Sequence, residues 1–357
     1  VSAITTGAPT IGRAALQARI DALPRVRLAH LPTPLERCPR LGEALGGIDL
    51  WIKRDDLTGL AFGGNKTRQL EFLYADILAR GADTVVAGAY SQSNWCRQIT
   101  GAARKLGLEV ALVLLHGEKG PALQGNLLLD VLMGADVTVV DLDSMERLTP
   151  VLEDKAEELR RGGRRPYVVR PFGLDKLVLG AVGYVGGALE LDAQLEAAGI
   201  APDFLYLCGA NMTPAGMALG LKALGRRTRL INVAPIVWSE PRAVDIARIA
   251  SAAAARLDLD VRLAPEDIEN HDEYIGERYG VVTEGGREAM RLLAGTEGII
   301  LDPVYSAKAM AALIDHVRAG RVGKSKTVVF VHTGGTPALF AYAADLGLPP
   351  PRVRPAG

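Results

Sequence analysis

From residue 84 the chain alternates short apolar runs with longer stretches whose apolar residues recur every three or four positions. Residues 84–87, 109–115 (EVALVLL), 137–140 and 167–169 read as strands, and residues 94–106, 122–133 and 144–161 as the helices between them. That rhythm predicts a parallel sheet covered on both faces, so residues 69–177 are expected to form one compact α/β domain. Pro171-Phe172-Gly173 breaks the pattern. A helix over 178–191 follows, and its Gly180, Gly183, Gly186 and Gly187 predict close packing against a neighbour. A second series places strands at 204–208, 229–233, 298–301 and 327–332, with helices at 243–255, 285–293, 306–317 and 337–344. Residues 1–68 with 178–357 are expected to make the second, larger domain. The whole reads as an α/β chain of two three-layer domains with mostly parallel sheets. Its ends are predicted loose: a Thr/Gly/Pro-rich start and a proline-rich tail over 349–357.

Composition narrows the function classes. At 357 residues the chain exceeds one comfortable core. Lys plus Arg equals Asp plus Glu at 41 each, so no net field draws it to nucleic acid or an anionic membrane. Cys38, Cys96 and Cys208 are odd in number and lack CxxC spacing, which argues against a disulfide framework or zinc knuckle and for a reducing, cytoplasmic setting. No apolar run reaches membrane-span length, and the start lacks a signal-peptide pattern. The five histidines, His30, His116, His271, His316 and His332, are scattered, so no metal site is expected. Asp55 and Asp56, read as strand neighbours, would point to opposite faces and not act together.

Candidate chemistry centres on Gly63-Gly64-Asn65-Lys66, between a strand near Leu50 and a helix over 67–78. A lysine behind two glycines sits on backbone that a flat ligand can approach. Ser91-Gln92-Ser93-Asn94 lies between strand and helix, with Ser93 as an N-cap and exposed amides suited to a carboxylate. Cys208 to Gly216 repeats the arrangement, with Thr213 as cap and Pro214 at the first helical position, a geometry that suits a phosphate. Leu301 to Ser306 and His332 to Pro337 also join strand ends to helices. In an α/β fold such turns converge on one side of the sheets. The two prolines of the 30–35 segment predict an extended strap that crosses a surface or lines an entrance.

Read in order, HLPTPLE, WIKRDDLTG, GGNKTRQLEF, SQSN, the Thr213 loop, LDPVYSAKAM and HTGGTPALFAY resemble the D-cysteine desulfhydrase and 1-aminocyclopropane-1-carboxylate deaminase family. These are pyridoxal-phosphate enzymes of the tryptophan synthase β type, fold type II, and the resemblance spans residues 31–346. It implies pyridoxal 5'-phosphate as cofactor, with Lys66 as the Schiff-base lysine and, once released, the base for the Cα proton. It further implies Asn94 on the cofactor's phenolate oxygen, and Gly209, Ala210, Asn211, Met212 and Thr213 around its phosphate. Ser93 would sit beside the substrate, and Tyr279 and Tyr305 would be the two active-site tyrosines. The family's deaminases carry a glutamate after DPVY and a leucine after the histidine of HxGG; here Ser306 and Thr333 stand in those cofactor-side positions. A neutral hydroxyl makes the ring a weaker electron sink, which favours β-elimination of a good leaving group. Asn211 and Met212 occupy a loop richer in glycine among relatives, and Tyr90 and Trp95 place bulk near the substrate carboxylate.

The expected activity is α,β-elimination from a small β-substituted amino acid, D-cysteine or a relative such as cysteate, to pyruvate, ammonium and the leaving group. The alternatives are the deaminase reaction and a non-catalytic amino-acid-binding protein on the same fold. A homodimer is implied by the resemblance alone.

Overall fold

The computed structural model describes residues 11–352. Its strands are β1 (Leu35–Arg37), β2 (Asp49–Lys53), β3 (Thr84–Tyr90), β4 (Glu109–Leu115), β5 (Asp136–Val140), β6 (Pro166–Val168), β7 (Phe204–Cys208), β8 (Arg229–Val233), β9 (Glu269–His271) and β10 (Thr327–Val331). Its helices are α1 (Arg13–Asp21), α2 (Pro39–Ala44), α3 (Lys66–Ala79), α4 (Asn94–Lys105), α5 (Gly125–Leu132), α6 (Leu148–Arg161), α7 (Leu174–Ala197), α8 (Met212–Ala223), α9 (Arg242–Arg256), α10 (Glu284–Glu297), α11 (Ser306–Arg318) and α12 (Thr336–Leu339). Two sheets result, with strand orders β1-β2-β10-β7-β8-β9 and β5-β4-β3-β6. All neighbours run parallel except β1 and β2.

Each sheet is sandwiched because its inner strands are apolar on both faces. Leu205, Leu207, Val329 and Val331 pack with α1, α7, α8 and α9, whereas Tyr206, Cys208, Val328 and Phe330 pack with α2, α10 and α11. In the smaller sheet Val85, Ala87, Leu112 and Leu114 face α3 and α4, and Val86, Ala111 and Val113 face α6. This is an α/β architecture of two three-layer units.

Glycines on α7 and α8 let the helices that carry the site approach closely. A Cβ on Gly216 would lie 2.1 Å from the Ala181 carbonyl oxygen, and one on Gly183 2.3 Å from that of Arg68. Gly186 faces open space and Gly187 makes ordinary contact, so the expected packing role falls to Gly180 and Gly183. Below them lies a buried ionic cluster. Arg68 donates to both Asp55 oxygens (2.9 and 2.8 Å) and to Glu190, while Lys53 donates to Glu190, Gln194 and the Thr33 carbonyl. Burial raises the Asp55 pKa, but Arg68 more than reverses it, leaving the carboxyl at about 2. The proline strap is tied into this cluster through Thr33 and does not line the cleft described below.

Several elements differ from expectation. Residues 298–301 form no strand: Gly298 (φ 69°) ends α10 in the left-handed region, and the Ile300 carbonyl accepts from His332 Nε2 instead of a ladder partner. The sheet edge beyond β8 is taken by the short, polar β9. Asp55 and Asp56 lie in a 3-10 turn rather than a strand, with Asp56 paired to Arg54. The helix expected from 122 starts at Gly125, and that expected over 337–344 is α12 followed by a 3-10 turn. Of the loose ends, residues 1–10 and 353–357 lie outside the described part, and 349–352 carry no regular structure.

Candidate active site

Strand ends of both sheets open on one cleft with a cavity volume of about 130 Å³. Lys66, Ser93, the 209–213 loop, Tyr279 and Tyr305 all line it, as do Tyr90 and Trp95. Asn94, Ser306 and Thr333 adjoin the lining from behind: each neighbours or bonds a lining segment, Thr333 through its carbonyl, which accepts from the Asn65 amide at 2.9 Å.

Lys66 opens α3, and Asn65 Oδ1 accepts from its Nζ at 3.0 Å. The ammonium lies 5.9 Å from the Tyr305 ring centre. Burial, only partly offset by Cys208 and Asp302 and reinforced by Arg97, lowers its pKa to about 8. A lysine so tuned is nucleophilic near neutral pH. Tyr279 and Tyr305 share a 2.7 Å hydrogen bond between hydroxyls, and burial raises both pKa values. Tyr90 stacks on Tyr279 with ring centres 4.9 Å apart, so its bulk completes the wall of tyrosines.

The oxyanion cradle is built differently from expectation. Asn211, not Thr213, is the N-cap of α8: its Oδ1 accepts from the Met212 amide at 2.7 Å, and Pro214 falls inside the first turn. Asn211 has φ −157°, so no left-handed residue is needed. Met212 lines the cleft and also packs into the core. Its Sδ would lie 2.3 Å from a Cβ at position 180, which makes Gly180 the residue that accommodates the methionine. Thr213 lines the cleft. Its Oγ accepts from Asn65 Nδ2 (2.9 Å) and Gln69 Nε2 (2.8 Å), so its own proton remains to be donated. Among the described residues the amides of Ala210, Asn211 and Thr213 find no acceptor either.

Across the cleft Ser93 caps α4 as expected, accepting from the Cys96 amide at 3.2 Å. The orientation of Asn94 follows from a relay: Arg97 Nε donates to Asn126 Oδ1 (2.8 Å), and Asn126 Nδ2 donates to Asn94 Oδ1 (2.8 Å). Asn94 Nδ2 therefore keeps a free donor, beside Gly335 (φ 99°) where a Cβ would stand 3.0 Å away. Ser306 Oγ donates to Asp302 Oδ1 (2.6 Å) and accepts from the Asp302 amide (2.8 Å). An aldehyde-reactive amine, an unsatisfied amide donor and an unsatisfied oxyanion cradle around one cleft fit pyridoxal phosphate.

Sequence reasoning gave no role to Gln69, which lies inside GGNKTRQLEF, and missed Arg97 and Asn126, which carry no motif of their own; all three orient the groups above. Asn65 was visible inside GGNK without a role. The histidines are also less scattered than the sequence suggests. His271 and His316 come to 4.8 Å between ring centres beside Glu273, at the β9 edge and outside the cleft lining. Their nitrogens are engaged by Glu269, Glu273, Tyr206 and the cation Arg321.

Fold and site together define a pyridoxal-phosphate enzyme of fold type II. The chain belongs to the pyridoxal-phosphate dependent enzyme family, whose profile matches residues 26–334. It is 39% identical over 331 residues to the 1-aminocyclopropane-1-carboxylate deaminase of Burkholderia ambifaria (strain MC40-6), covering 91% of this chain and 98% of that one. It is 41% identical over 331 residues to the D-cysteine desulfhydrase of Klebsiella pneumoniae (strain 342), covering 92% and 98%. A crystal structure described as an ACC deaminase homologue superposes with a TM-score of 0.84 at 37% identity, over 93% of this chain and 98% of that one. The protein is thus a pyridoxal-phosphate-dependent lyase of the deaminase and desulfhydrase type. No helix among the described residues is long and apolar enough to cross a membrane.

Proposed function

We propose that the enzyme catalyses α,β-elimination from a small β-substituted amino acid, giving pyruvate, ammonium and the leaving group. The observation that carries this reading is the state of Ser306. It is neutral and its proton is committed to Asp302, so it offers no anion to hold a pyridine nitrogen protonated. Such a site suits a substrate whose Cβ already bears a good leaving group. Bound pyridoxal phosphate would supply an aldehyde for the substrate's amino group and a ring that takes up electron density from Cα.

The chain's own groups do the rest. Thr213 and the start of α8 would hold the phosphate, and Asn94 Nδ2 the phenolic oxygen. The Ser93 loop would take the substrate carboxylate. Lys66, desolvated and free of any carboxylate partner among the described residues, would accept the Cα proton. Tyr279 and Tyr305 share one hydroxyl–hydroxyl hydrogen bond, so one of their two protons stays free for the departing group. The test is pyruvate formation from D- and L-amino acids bearing β-chloro, thiol or sulfonate groups; none from any of them overturns the proposal.

A second reading is favoured by the 39% identity to a deaminase over nearly the full chain. Release of 2-oxobutanoate from 1-aminocyclopropane-1-carboxylate, at a rate above that of any elimination, would establish it instead.

A further inference from the structure

Lys176 has no part in the chemistry above, yet it lines the same cleft. It lies in the first turn of α7 and is 7% exposed. Its ammonium donates to the carbonyls of Arg170 and Pro171, the latter at 2.9 Å, and sits 5.5 Å from the centre of the Trp95 ring. Among the described residues it pairs with no carboxylate, and burial brings its pKa down to about 7. The two carbonyls take two of the three N–H groups, leaving one without an acceptor and the charge without a carboxylate partner, an arrangement that is costly until an anion arrives. Trp238, on the same lining, also has a buried indole N–H without an acceptor.

The cofactor phosphate has its own donors in Thr213 and the start of α8. Lys176 and Trp95 instead belong to the wall that carries Ser93, two residues before Trp95, where the substrate is expected. We infer that Lys176, backed by Trp95, binds an oxyanion carried on the substrate's β-substituent, so that amino acids with an anionic leaving group such as a sulfonate are preferred over those with a neutral one. This rests on the elimination proposed above and adds the substrate class. For a sulfonate, the Cα proton passes to Lys66 and the Cα electrons form the bond to Cβ. The Cβ–S pair then departs with sulfur as sulfite. Hydrolysis of the released enamine consumes one water and gives pyruvate and ammonium.

The experiment compares holoenzyme kinetics on cysteate and on neutral β-chloroalanine, in wild type, Lys176→Met and Lys176→Arg, with cofactor affinity measured by absorbance titration. Lys176→Met is expected to lower kcat/KM for cysteate by about 10- to 100-fold, while β-chloroalanine and cofactor affinity stay within about threefold. Lys176→Arg should recover most of the loss. In the wild type, with no variant needed, 3-sulfopropanoate should inhibit β-chloroalanine turnover at least about tenfold more strongly than 4-hydroxybutanoate. An equal loss on both substrates, no loss, or equal inhibition by the two acids overturns the inference. A loss confined to cofactor affinity also overturns it and assigns Lys176 to the phosphate. If no β-substituted amino acid reacts, the proposed function itself has failed; if β-chloroalanine reacts and the sulfonate is not preferred, only this inference has.

Discussion

Replacing Thr213 by valine tests the cofactor cradle with two independent readouts. Valine keeps the shape of the side chain and removes one oxygen, which accepts hydrogen bonds from two buried amides, Asn65 Nδ2 at 2.9 Å and Gln69 Nε2 at 2.8 Å. Stranding a buried donor costs about 1–3 kcal/mol, so the two together should destabilise the apoprotein by about 2–6 kcal/mol. The hydroxyl proton, free in this structure, would donate to a phosphate. Losing a hydrogen bond to a charged group costs about 1.5–3 kcal/mol, or about 10- to 150-fold in cofactor affinity. Thermal unfolding of the apoprotein and titration with pyridoxal phosphate measure the two effects separately. Thr213→Ser should restore both. An unchanged apoprotein midpoint would mean that the amides have other acceptors, and unchanged affinity would remove Thr213 from the phosphate site. Either result refutes the geometry argued here.

Other perturbations probe neighbouring parts of the site. Lys66, with a pKa lowered to about 8, is neutral above that pH, so uptake of pyridoxal phosphate by the apoprotein should accelerate as pH rises through about 8 and then level off; a flat profile from pH 6 to 10 would contradict it. Gly216→Ala places a Cβ 2.1 Å from the Ala181 carbonyl oxygen and 2.6 Å from Tyr184 Cβ, so α7 and α8 must separate, with an expected loss of about 1–3 kcal/mol or more in thermal or urea unfolding and weaker cofactor binding. Ser306→Ala strands the buried Asp302 amide and should cost about 1–3 kcal/mol of stability while keeping elimination activity, because the role argued for Ser306 is neutrality; collapse of kcat with a folded variant would show that the hydroxyl itself takes part. Arg97→Lys should reduce cofactor affinity and kcat/KM together, and wild-type kinetics in that variant would show that the guanidinium orients neither Lys66 nor Asn94.

How much of this was legible depends on where the free energy of each element comes from. Strands such as EVALVLL, FLYLC and TVVFV are buried on both faces, so apolar runs reveal them directly. β9, the tripeptide Glu-Asn-His, owes its place to backbone pairing with β8 and leaves no apolar trace. Residues 298–301 show the reverse failure. Ile299 and Leu301 are buried and invite a strand assignment, but the left-handed Gly298 and the hydrogen bond from His332 hold the segment off any ladder. In the site, Ser93 was legible because a cap is a local contact. Thr213 was recognised as part of the loop but misplaced in it, since the choice between Asn211 and Thr213 as cap depends on Met212 finding room at Gly180. Lys176 was illegible: Leu-Asp-Lys-Leu reads as an exposed helix start, and only the fold lays Trp95 over its ammonium.

Lys66 and Asn94 come from different sheets' connections, so some element must fix one against the other. Arg97 does so. It is fully buried on α4, where burial lowers its pKa to about 10, still charged at neutral pH. Its Nη atoms donate to the carbonyls of Ala61 and Gly63, and its Nε to Asn126, which turns Asn94. The loop it grips includes Ala61 (φ 45°) and Phe62 (φ 68°), non-glycine residues in the left-handed region that persist only where the surroundings hold them. These two residues lie three and two positions before Gly64-Asn65-Lys66, the segment proposed to present an amine to the cofactor. One guanidinium therefore ties the loop before Lys66 to the side chain of Asn94, the two groups proposed above as nucleophile and amide donor for the cofactor.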